Sequence, residues 1–121
     1  MKIEKIYDFD VVKNTSLVGY IRATQNELES TFGTPTSEID PSSLSDDGKV
    51  NVEWMLTIDG DPITIYDYKQ SQKDRDKEVL WHIGGEDFGA VLKMHACGWE
   101  KAVTHPEFVD RLENPYGYVG A

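Results

Sequence analysis

Three histidines, one cysteine and a scatter of carboxylates are the side chains of this 121-residue chain that could do chemistry. A metal centre would draw on His82, His95 and Cys97 with a carboxylate. Their spacing holds neither a Cys-x-x-Cys pair nor two histidines four apart on a helix, the patterns that zinc sites use. The ordinary reading fits better: His82 is a half-exposed strand residue and His95 a cation on a helix end. No metal and no cofactor are expected. Nucleophilic catalysis would need Cys97 or a serine beside a base. Cys97 follows an apolar helical face, where free cysteines are usually inert, and no Gly-x-Ser-x-Gly elbow occurs.

The remaining candidates are acids and glycines. Asp59, Asp61 and Asp67 surround a central hairpin, and Asp8 and Asp10 stand near the start. Asp59-Gly60-Asp61 lacks the rest of a calcium loop and reads as a turn. Gly84-Gly85-Glu86, between a strand and a helix, could hold an anion on backbone N–H groups. It lacks the further glycines of a dinucleotide fingerprint, and the acid at the helix start would repel phosphate. No catalytic residue is assigned. The chain reads as a binding protein before an enzyme, with a metal- or carboxylate-dependent hydrolase the least favoured alternative.

An aromatic set carries more promise. Over residues 63–69, Ile63 and Ile65 share one strand face while Tyr66 and Tyr68 share the other. One set must face away from the main core unless helices cover both sides of the sheet. Met55 and Thr57 lie on the second face of the neighbouring strand. With Trp81 and His82 these residues form the candidate binding surface: Met55, Tyr66, Tyr68, Trp81 and His82. Tyrosine and methionine are enriched at interfaces.

The elements that must position this set follow from periodicity. Residues 1–12 alternate roughly and predict a short strand, with a turn at 13–15 and a second strand over 16–23. Thr24 and Glu27 form a capping box opening a helix over 25–32, which Gly33 stops and Pro35 keeps from continuing. Residues 34–49 are polar, with two prolines and four serines, and form an exposed loop. Residues 50–59 alternate with period 2, placing Val50, Val52, Trp54, Leu56 and Ile58 on one face. A turn at 59–62 returns the chain into a partner strand over 63–69. Residues 70–78 carry no apolar side chain and form an exposed connection. Residues 79–83 add a third strand, which Gly84-Gly85 ends. A helix over 86–95 presents Phe88, Val91, Leu92 and His95, closed by Cys97-Gly98. A short helix over 106–112 and a tail over 113–121 complete one domain.

The fold expected is α+β: an antiparallel sheet of four to five strands with two or three helices packed mainly on one face. Its core should hold Leu28, Phe32, Val52, Trp54, Leu56, Ile65, Ile83, Phe88, Val91 and Leu92. Thirteen aromatic residues supply much of the burial, so no disulfide is needed.

The net charge of −10 argues against direct nucleic-acid binding, which runs on Lys and Arg contacts to phosphate, and against anionic membranes. It suits either a solubilising surface or an acidic surface aimed at a basic partner, one that handles nucleic acid. The N-terminal MKIEKIYDFD is too acidic for a signal peptide, and no run reaches the roughly 18 apolar residues of a membrane helix. A monomer or small homo-oligomer in the cytoplasm is expected.

Four segments together, FGTP (32–35), DGKVNVEW (47–54), IDGDPITIYDYK (58–69) and WHIGG (81–85), resemble a set of small phage-encoded proteins of unknown function. The likeness covers about residues 18–95 and carries no assigned activity. Together with the small size, the acidity and the lack of catalytic motifs, it makes the first expectation a phage-type protein in the host cytoplasm that attaches to a host protein and inhibits a defence or nucleic-acid-handling system. The alternative is a small-molecule, nucleotide-like binder with Tyr66, Tyr68, Trp81 and His82 lining a pocket. The helix-then-strands layout is also loosely similar to outer-membrane lipoprotein assembly factors and β-lactamase-inhibitor proteins, without their signal peptide or repeat. That second likeness concerns fold alone.

Overall fold

The computed structural model describes residues 1–38, 52–68 and 75–113, with side chains to residue 110. Of the loop expected over 34–49, residues 39–49 lie outside the described residues, as do most of the connection over 70–78 and the tail beyond 113; the start of that loop holds the short strand Ser37–Glu38. The chain is α+β, built on one antiparallel sheet. Its strands are β1 (Ile3–Lys5), β2 (Ser16–Ala23), β3 (Ser37–Glu38), β4 (Val52–Ile58), β5 (Asp61–Asp67), β6 (Val79–Gly85) and β7 (Val103–Thr104). They run in the order β1-β4-β5-β6-β2-β7, with β3 also paired to β4. The sheet is thus wider than the four to five strands expected, because three short strands cap its edges. Four helices among the described residues accompany it: α1 (Phe9–Val12), α2 (Gln25–Phe32), α3 (Gly89–Ala96) and α4 (His105–Glu113).

Local chemistry explains the best-defined elements. Thr24 accepts from the Glu27 N–H at 3.0 Å while the Glu27 carboxylate accepts from the Thr24 N–H at 2.9 Å, the two halves of the expected capping box. Between β4 and β5 the chain turns on Asp59 and Gly60 alone, both at positive φ (51° and 87°). That is the primed two-residue turn whose twist matches the strands it joins. Pro62 stands opposite Thr57, one pair beyond the Ile58–Asp61 pair that closes the turn. Alternation makes this a pair without ladder bonds, so the missing N–H costs nothing.

One face of the sheet carries the core. Trp54, Leu56 and Ile58 of β4, Ile63 and Ile65 of β5, Trp81 and Ile83 of β6 and Ile21 of β2 are all buried there. Leu28 and Phe32 of α2 and Ala90, Val91 and Met94 of α3 close over them. Phe88 and Leu92, expected in this core, are instead 50% and 66% exposed. The helix starts at Gly89, and its inward stripe is Ala90, Val91 and Met94.

Gly84 and Gly85 do not stop β6 at Ile83 but are its last two residues; they pair with Thr64 and Ile63 of β5 and with Leu17 and Ser16 of β2. A Cβ at Gly84 would overlap the Thr64 hydroxyl, and one at Gly85 would overlap the Ala90 methyl. Glycine is here the residue that lets α3 approach the sheet.

Candidate functional site

The second face of the sheet is built from the alternate residues of the same strands. Register sets Glu53, Tyr66, His82 and Tyr20 side by side across β4, β5, β6 and β2, and Val103 of β7 follows Tyr20. The rings touch. His82 lies 5.4 Å from Tyr66, 5.2 Å from Tyr68 and 5.0 Å, edge on, from Tyr20. Met55 continues this face beside Thr64.

Two helices wall the row. At one end α1 leaves Phe9, Val12, Lys13, Glu53, Thr64 and Tyr66 around a cleft of about 170 Å³. Asp8 caps α1 by accepting from the Asp10 N–H. Tyr7, Phe9 and Val11 remain 74%, 67% and 42% exposed. At the other end α4 lays Phe108 against Tyr20, centroids 4.3 Å apart, and His105 Nδ1 meets the Tyr20 hydroxyl at 2.9 Å. Helices therefore stand on both sides of the sheet. The two eight-residue helices, α2 and α3, cover the core face, while α1 and α4 flank the aromatic row.

Burial drives this row toward its neutral forms. Desolvation, then the nearby Asp67, raises the Glu53 carboxyl pKa. Desolvation raises both Tyr20 and Tyr66, with Glu53 adding to the shift at Tyr66. Desolvation, then His105, lowers His82. Neutral rings with hydroxyl and imidazole edges can stack, fill a partner's pockets and exchange hydrogen bonds.

Of the five residues expected at the binding surface, Met55, Tyr66, Tyr68 and His82 share this face, all half-buried. Trp81 does not. It is fully buried on the opposite face, its indole N–H donating to the Ala23 carbonyl at 2.9 Å and its ring edge on to Trp54. Alternation along β6 turns it away from His82. On the opposite face, Trp81 cannot line a pocket with Tyr66, Tyr68 and His82.

The other chemistry-bearing residues have structural work. Asp59 accepts from the Lys2 N–H at 2.9 Å, and Lys93 bridges Asp59 and Asp61 at 3.6 Å each. Asp67 is fully buried and accepts from the Val52 N–H at 2.8 Å. His95 Nε2 donates to the Ala102 carbonyl at 2.6 Å. Cys97 is half-buried, and desolvation followed by Asp59 raises its thiol pKa, which keeps it protonated. Among the described residues no group of three or more His, Cys, Asp or Glu is placed to hold a metal ion. No helix among them is long and apolar enough to cross a membrane.

Sequence reasoning missed Glu53, Tyr20, His105, Phe108 and Phe9 at this face. Parity along residues 16–23 would have put Tyr20 beside His82, had the strand pairing been known. Compared with protein-family models, with curated proteins and with solved structures, the chain matches none at a significant level.

Proposed function

We propose that this chain is a small acidic binding protein that attaches to a partner protein through the α1 end of its aromatic face. One observation carries the reading. Phe9, two-thirds exposed, stands over a cleft that it shares with Tyr66 and Glu53, with Tyr7 and Val11 exposed beside it. Large apolar side chains gathered at a cleft mark an interaction surface where scattered ones do not. Asp8 and Asp10 flank Phe9 in sequence and outnumber the one cation of the cleft, Lys13, so the partner surface that fits is apolar at its centre and basic at its rim. A protein that normally handles nucleic acid has such a surface. If the chain is phage-encoded, as its motif set implies, the partner is a host protein and occupying its basic surface would inhibit it.

The test is affinity capture from host lysate with wild type, with a Phe9→Ser/Tyr66→Ala double variant and with Leu92→Ser. The expected outcome is a protein retained by wild type and by Leu92→Ser, weakened by salt and lost from the double variant. A partner retained equally by all three, or no partner at low and moderate salt, contradicts the reading.

A further inference from the structure

A cavity of about 400 Å³ opens at the opposite end of the aromatic face, where α4 meets β2 and β6. Tyr20, Leu80, Val103 and Phe108 give it apolar walls, and Arg22, Lys101 and Glu78 bring charge to it. Its volume falls within the range of small-molecule sites, which are largely apolar with a few placed polar groups. The Tyr20 ring is held by Phe108 on one side, His82 on another and His105 at its hydroxyl, so this wall is formed before anything binds.

The charges are unusual for this chain. Acids outnumber bases 22 to 12, and two of the other cations are each shared by two acids: Arg75 holds Glu29 and Glu38, and Lys93 holds Asp59 and Asp61. Arg22 makes no ion pair among the described residues. It sits one step beyond Tyr20 on the same strand face, opposite Leu80. Lys101, its neighbour at the cavity, extends over the Trp99 ring at 5.4 Å. Two cations beside apolar walls match a ligand with a flat apolar body and an anionic end.

We propose that this cavity binds a small aromatic anion, a ring system carrying a carboxylate, sulfonate or phosphate, with the ring between Tyr20, Leu80 and Phe108 and the anion at Arg22 and Lys101. The site uses none of the residues of the Phe9 cleft, so either assignment can fail without the other.

Fluorescence titration of the folded protein tests it, with anilinonaphthalenesulfonate as the anionic probe and the uncharged phenylnaphthylamine as its control. Expected is saturable binding of one sulfonate per chain, at least tenfold tighter than the neutral probe. Arg22→Gln and Lys101→Gln should each weaken the sulfonate several-fold and leave the neutral probe unchanged. Glu78→Gln should tighten it, and Phe9→Ser should do nothing. Shifts of the Leu80 and Val103 methyl resonances locate the probe. Equal affinity for the two probes, indifference to Arg22→Gln and Lys101→Gln, shifts confined to Val12, or no saturable binding each overturn the proposal.

Discussion

The Tyr20 hydroxyl and the His105 ring nitrogen meet at 2.9 Å across 85 residues of sequence. This contact, with Phe108 packed on the same tyrosine ring, fastens α4 to β2 and makes the second face of the sheet a walled surface. Without it β2 would present Tyr20 to solvent beside His82, and the cavity at Arg22 and Leu80 would have no roof.

Replacing that hydroxyl tests the fastening. Tyr20→Phe keeps the ring contacts and removes one hydrogen bond, so a loss of about 1 kcal/mol is expected in chemical denaturation. Amide exchange in α4 should accelerate more than exchange in α3. Equal acceleration in both helices would show that the bond does not act locally.

The titrating pair on the row predicts a pH signature of defined sign. His82 is lowered from its ordinary 6.5, so its contribution is complete above that value and is lost as pH falls through it towards the lowered native pKa. In thermal melts from pH 8 to 5, wild type should lose stability relative to His82→Phe as pH falls. Glu53 is raised from its ordinary 4.5, so its term is present below that value and lost as pH rises through the raised one. Glu53→Gln should therefore stabilise the protein at pH 7 and lose that advantage in acid. A variant no more stable than wild type at pH 7 would refute the desolvation of Glu53.

Gly85 should tolerate no side chain. Gly85→Ala drives a methyl into Ala90 and is expected to cost about 1–3 kcal/mol by overpacking. Pairing it with Ala90→Gly should recover part of the loss. Failure of the second change to help would mean that α3 does not rest on this glycine.

Trp81 separates core from surface. Trp81→Ala should cost about 3–5 kcal/mol in denaturation, whereas Phe9→Ser should stay within about 0.5 kcal/mol of wild type. A mild Trp81 variant would return that residue to the candidate surface.

Much of this fold was readable locally. The Thr24–Glu27 capping box and the strand over 16–23 depend on neighbours in sequence, and each stands where its chemistry puts it; the turn expected over 59–62 closes on Asp59-Gly60 alone, with Asp61 and Pro62 already in β5. The misreadings share a different cause. Gly84-Gly85 looks like punctuation until Ala90 and Thr64 are seen to press against it. Phe88 and Leu92 outrank Ala90 in bulk, yet the close approach of α3 to Gly85 selects the small residue there. Trp81 joined His82 on the expected surface by adjacency, although strand parity sets them on opposite faces. The α4 wall depends on a partner 85 residues away, which no local pattern encodes.

Site-specific photo-crosslinking in cells tests the central claim most directly, because it discriminates between two of the exposed apolar sets among the described residues. One is Tyr7, Phe9 and Val11 beside the Tyr66 cleft; the other is Phe88 and Leu92 on the outside of α3. With benzoylphenylalanine placed singly at position 9 or position 92, the account predicts one protein adduct from position 9 and none from position 92. An adduct from position 92 alone, or the same adduct from both, would contradict it.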